Sequence, residues 1–103
     1  MVELEITETR MGHRGRYAAR APGTPTVPDS ELLYALDGQT MTIDRTFTPP
    51  QMRNQGIAAR LVARAVADAR DRGWSIVPQC PYVRAVIDRT PRFQDVLAEG
   101  ERS

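Results

Sequence analysis

The residues most open to chemistry sit in one short turn, Arg53-Asn54-Gln55-Gly56-Ile57-Ala58. It follows the pair Pro49-Pro50 and runs into a long segment of periodic apolar residues. A helix start leaves its first backbone N–H groups without partners and carries a partial positive charge. Small residues there let an anion approach those groups, and Arg53 can add a charge-assisted contact. The turn either holds a phosphate or merely starts a helix, because a glycine that eases a helix start has the same local signature. Residues 53–72 hold five Arg (53, 60, 64, 70, 72) against two Asp (68, 71). Such a run is an ordinary solvated helix face or, in the sharper reading, an anion-attracting rim around Gly56.

The elements that must position this turn follow from hydrophobic periodicity. The segment up to Arg10 alternates in part (Val2, Leu4, Ile6) and predicts a strand or an arm. A second strand is expected over 15–21, then a proline-rich loop over 22–28. Residues 31–38 read as a strand ending in an Asp37-Gly38 turn. Residues 39–47 read as its hairpin partner, with Met41, Ile43, Arg45 and Phe47 on one face. Gln55 to Arg72 carries apolar residues at three- and four-residue spacing and predicts a helix, with Gly73 as its C-terminal cap. A short apolar strand is expected over 74–78, and a helix over 82–90 with Pro81 in its first turn. Residues 91–100 suggest a last helical turn or two, and Trp74 and Phe93 are expected in the core. The order β-β-β-α-β-α implies an α/β (α+β) fold. Strand-helix-strand demands a right-handed crossover and a parallel pair, hence a mixed central sheet with helices packed on it.

Composition bounds the function classes. The chain has 103 residues, one domain's worth, and net charge +1, so no global field points to nucleic acid. All 14 basic residues are Arg, which excludes a Schiff-base lysine and a P-loop lysine. A single Cys, Cys80, excludes an internal disulfide and a cysteine-based zinc site. The single His13 makes a histidine-cluster metal site unexpected, so no metal is foreseen. The acidic start "MVELEITE" lacks a signal-peptide core, and no apolar run reaches membrane-spanning length. A cytoplasmic protein with no membrane partner is the expectation.

Three stretches in order, Arg45-Thr46-Phe47-Thr48-Pro49 with Met52 to Ala58, then Val77-Pro78-Gln79-Cys80-Pro81-Tyr82-Val83, then Arg89 to Leu97, carry a family likeness. Together they resemble the GCN5-related N-acetyltransferase (GNAT) superfamily, and within it the small single-domain YjdJ/NATD1-like group. The resemblance spans about residues 32–97. It implies a compact GNAT-like domain over 1–103 that transfers acetyl from acetyl-CoA, its cosubstrate, directly to an amine. The expected acceptor is a protein or small molecule of unknown identity, and a monomer or weak dimer is expected. The resemblance assigns coenzyme A binding to Phe47, Thr48, Arg53, Asn54, Gln55, Gly56, Ile57 and Ala58. The pantetheine arm would lie between strand 39–48 and strand 74–78, like an added strand, with Pro49 and Pro78 ending the pairing there. Cys80 matches the family cysteine beside the thioester, as nucleophile or thiol donor, its pKa lowered by the following helix. Tyr82 becomes the proton donor to the leaving thiolate. Two departures stand out: Arg45 and Phe47 replace His and Glu common in the family, and Asn54 replaces the first glycine of the turn. These favour an alternative reading, a non-catalytic acyl-CoA-binding or sensing module on the same scaffold.

Overall fold

The structure, a computed structural model, describes residues 4–20, 29–50 and 53–101. Val2, Met52 and the proline-rich segment 22–28 lie outside the described residues. Five strands, β1 (Glu5–Met11), β2 (Arg14–Arg20), β3 (Ser30–Asp37), β4 (Thr40–Phe47) and β5 (Ser75–Pro78), form one sheet in sequence order. The first four are antiparallel, and β5 runs parallel to β4. The crossover between β4 and β5 is α1 (Ile57–Arg72); α2 (Pro81–Asp88) and a 3-10 turn (Pro91–Val96) follow. The mixed sheet and the parallel pair are as expected. The N-terminal segment is a full strand rather than an arm, so four strands, not three, precede α1.

One sheet face carries the core. Tyr17, Leu32, Tyr34, Met41, Ile43 and Ile76 are fully buried there, against Leu61, Val62, Ala65 and Val66 of α1. Burying each such aliphatic side chain contributes about 1.5–3 kcal/mol. Val83, Val86 and Ile87 of α2 close one flank, and Phe93 joins them. Trp74 is only partly buried and packs at the rim rather than in the centre. The far edge of β5 is covered by the chain's return: Ile76 bridges Leu97, and Ala98 N–H donates to Ile76 O at 2.9 Å.

The α1 helix begins at Ile57, not Gln55. Asn54 (φ 65°) and Gly56 (φ 72°) are both left-handed, a conformation that an α-helix cannot contain. The last expected helical stretch winds as a 3-10 turn, and Pro91 opens it.

Candidate functional site

The site begins with a defect in pairing. β4 and β5 pair from Thr40↔Ser75 to Ile43↔Pro78 and then part. The last link is Cys80 N–H to Ile43 O at 3.0 Å. Pro78 has no N–H to extend the ladder. On the other side of β4 the register jumps from Tyr34↔Ile43 to Leu33↔Arg45, which leaves Asp44 as an extra, bulged residue. A bulge bends its strand and stops regular pairing. It also shifts the two-residue alternation by one. Thr46, paired with buried Leu32, therefore lies on the same face as Ile43, while Arg45 and Phe47 lie on the helix-free face. The expected run Met41, Ile43, Arg45, Phe47 on one face is thus broken at Asp44. Both positions at which the chain departs from the family's His and Glu are turned from the splay, and Thr46 and Thr48 take the side facing it.

The second component is the start of α1. Gly56 is its N-cap, no side chain caps it, and no acidic residue stands in its first turn. The first helical bond is Arg60 N–H to Gly56 O at 3.1 Å. The N–H groups of Ile57, Ala58 and Ala59 consequently have no partner within the helix. A Cβ on Gly56 would meet nothing within 4 Å, so the glycine serves the positive φ rather than space. Arg53 is held beside the turn by its Nε–H bond to Thr48 O at 3.2 Å.

Splay and turn open onto one cavity of about 430 Å³. Thr48, Arg53, Asn54, Gly56, Ile57 and Ala58 line it, with Tyr82 and Thr46. Of the residues assigned to coenzyme A by resemblance, Phe47 and Gln55 do not line it. The Phe47 side chain is 38% exposed, and its carbonyl accepts a bond from Ser30 Oγ at 3.0 Å. Gln55 is an exposed residue of the turn. Buried Ser30 lies 3.1 Å from Thr48 Oγ1. With the serine proton committed to Phe47 O, Thr48 donates to Ser30 and offers its own oxygen lone pairs as acceptors.

Cys80 caps α2 and is 8% exposed, behind the cavity wall, with Sγ 3.6 Å from Thr46 Oγ1. Burial pushes its thiol up, but the backbone N–H groups of Val83 and Tyr82 and the hydroxyl of Thr46 outweigh this, and the net shift is downward. Tyr82, two residues on, is 37% exposed at the cavity edge. Thr46, which joins wall and thiol, is the residue that sequence reasoning passed over. No sequence signal announces it, because its facing depends on the bulge. His13 sits in the β1–β2 turn, where its carbonyl accepts Leu36 N–H at 2.7 Å, at the opposite end of β3 from the cavity. Among the described residues no carboxylate or imidazole lines the cavity. Among the described residues no group of three or more His, Cys, Asp or Glu side chains could hold a metal, and no helix is long and apolar enough to cross a membrane.

A splayed parallel pair beside an uncapped, arginine-flanked helix start defines a fold suited to holding an extended ligand with an anionic end. A family model described as GCN5-related N-acetyl-transferase matches residues 16–96, and the chain belongs to this family. The solution structure of a GCN5-like candidate N-acetyltransferase from Staphylococcus aureus has the same fold, with a TM-score of 0.68. That likeness covers 95% of this chain and 91% of the other at 21% identity. No curated protein sequence matches.

Proposed function

We propose that the chain is an acetyl-CoA-dependent N-acetyltransferase of the small single-domain branch, transferring acetyl directly to an amine. The observation that carries this is the shared cavity: the uncapped helix start at Ile57 and Ala58 and the open edge of β4 line one space. The pyrophosphate would sit on the Arg53–Ala58 turn, where backbone donors and the helix dipole favour an anion. Pantetheine would run along Thr46–Thr48, pairing with backbone as a strand would. The Thr48 oxygen suits an amide N–H donor there.

In the transfer, the amine nitrogen bonds to the thioester carbon and the C–S bond breaks. The amine proton leaves to water, since among the described residues no side chain in the cavity wall is a base at neutral pH. The thiolate takes a proton from the Tyr82 hydroxyl, which regains one from solvent. Cys80, hydrogen-bonded through Thr46 to the wall, orients that edge of the site rather than carrying the acetyl group. The lack of a wall base also favours the second reading, a non-catalytic acyl-CoA-binding module. Calorimetric titration with acetyl-CoA, followed by thiol release in the presence of a panel of amines, separates these. Micromolar binding with turnover is expected. Binding without turnover supports the module, and no binding at millimolar acetyl-CoA removes both.

A further inference from the structure

A second hollow, of about 300 Å³, lies between α1 and the end of α2. Its floor is Ala59 and Ala63, one helical turn apart, and its rim is Arg60, Arg89 and Arg92; among the described residues no acidic side chain lines it. The arginines on the other parts of α1 are differently placed. Arg64 pairs with Asp68 at 3.0 Å, Arg70 with Asp95 at 2.6 Å, and Arg72 with Glu8 at 2.8 Å. Arg89 and Arg92 have no carboxylate partner among the described residues. Arg92 is instead laid over the Phe93 ring, 4.9 Å from its centroid, and this fixes its head at the hollow. The like charges of Arg89 and Arg92 at one concavity repel each other, and an anion between them relieves that repulsion.

The hollow adjoins the main cavity. Ala58 lines one and Ala59 the other, and α2 spans both, from Tyr82 at the first to Arg89 at the second. Coenzyme A carries, besides its pyrophosphate, a phosphate monoester on the 3′ position of the same ribose. Two anionic groups joined through one sugar need two neighbouring sites, and guanidinium pairs match a monoester dianion well.

We infer that the arginine-rimmed hollow is the subsite for the 3′-phosphate of coenzyme A, and that the protein discriminates coenzyme A from its 3′-dephospho form there. The inference rests on the proposed coenzyme A binding at the Gly56 turn. Coenzyme A and 3′-dephospho-coenzyme A are titrated against the wild type and against Arg89→Gln and Arg92→Gln, with inorganic phosphate as a competitor. Both arginines are exposed, and melting curves check that the variants fold as the wild type does. Wild type should bind coenzyme A at least tenfold more tightly than the dephospho form, with a gap that narrows at high salt. Each variant should lose about tenfold for coenzyme A and less than twofold for the dephospho form, and free phosphate should compete with coenzyme A only weakly. Equal wild-type affinity for both ligands overturns the subsite while leaving the Gly56 turn in place. Equal weakening of both ligands by the variants also overturns it. Failure of both ligands to bind wild type overturns the coenzyme A reading itself, and the subsite with it.

Discussion

Both ends of α1 are bounded by a left-handed glycine, Gly56 at φ 72° and Gly73 at φ 72°, yet they are finished in opposite ways. At the C-terminus every capping device is used. Gly73 N–H reaches Arg70 O at 3.4 Å, Trp74 N–H reaches Ala69 O at 2.8 Å, and Arg70 and Arg72 stand in the last turn. Around that end Tyr17 donates to Asp68 at 2.7 Å, Tyr34 donates to Glu8 at 2.6 Å, and Arg72 grips both Glu8 oxygens at 2.8 and 2.9 Å. At the N-terminus no side-chain bond caps the helix among the described residues, and no acidic residue stands in its first turn. Bonding capacity spent internally makes a rigid anchor, and capacity left unspent beside a cavity is what a ligand can use. The same helix does both, so stability and binding should separate along its axis.

The largest test strikes the anchor. A Cβ on Gly15 would lie 2.0 Å from Tyr34 Cζ and 2.4 Å from its hydroxyl oxygen. Gly15→Ala must therefore expel the ring from its place above the strand and break its bond to Glu8. A loss of about 3 kcal/mol in urea unfolding is expected. Acetyl-CoA affinity of the folded fraction should stay within twofold, and a parallel drop would show that the two ends are coupled. The reciprocal change is Gly56→Asp. Aspartate tolerates a left-handed backbone better than most residues, and a carboxylate at a helix N-terminus is electrostatically favourable. Stability should move by less than about 1 kcal/mol, whereas the negative charge in the anion site should weaken acetyl-CoA binding about a hundredfold, near 2.7 kcal/mol. Unchanged binding would remove the turn from the site.

Acid should find the anchor first. Hydrogen bonding by Arg72 outweighs the opposing effect of burial and, with Tyr34, lowers the Glu8 pKa to about 2 from an ordinary 4.5. A depressed carboxylate contributes stability that is fully present above its unfolded pKa and disappears as pH falls through its folded pKa. About 2 kcal/mol should be lost between roughly pH 5 and pH 2, discounted for the partly exposed Arg72. Urea midpoints for wild type and Glu8→Gln across that window check it: the variant should start lower and show a flatter acid slope. Burial and the bonds to Asp68 and Glu8 raise the Tyr17 and Tyr34 hydroxyls, so the corresponding alkaline loss begins at the ordinary phenol pKa of the unfolded chain and continues above it.

Legibility in the sequence divides along the same line. The helices and strands were readable because Leu61, Val62, Ala65 and Val66, and Met41 and Ile43, keep the periods that packing imposes. The turn at Gly56 was readable because proline, small residues and a following apolar period are all local. What escaped was non-local. The bulge at Asp44 depends on how β3 aligns with β4, and nothing within residues 39–47 marks it. With it went the facing of Thr46, and the pairing of Glu8 with Arg72 across 64 residues is equally invisible in a local pattern.

The smallest effect expected is on chemistry, at Tyr82. Its ring is 37% exposed at the cavity edge, and its only proposed duty is to supply a proton to the departing thiolate. A thiol's ordinary pKa near 8.5 makes thiolate a tolerable leaving group at neutral pH, so assistance is worth far less than for an alkoxide. Tyr82→Phe keeps the ring and removes only the hydroxyl. It should lower kcat about tenfold, near 1.4 kcal/mol, with the KM for acetyl-CoA unchanged. A rise in KM with kcat intact would instead make Tyr82 part of the wall that holds pantetheine. That result would place the binding end of α1 and the proton donor on the same side of the comparison, and would leave solvent as the source of the thiol's proton.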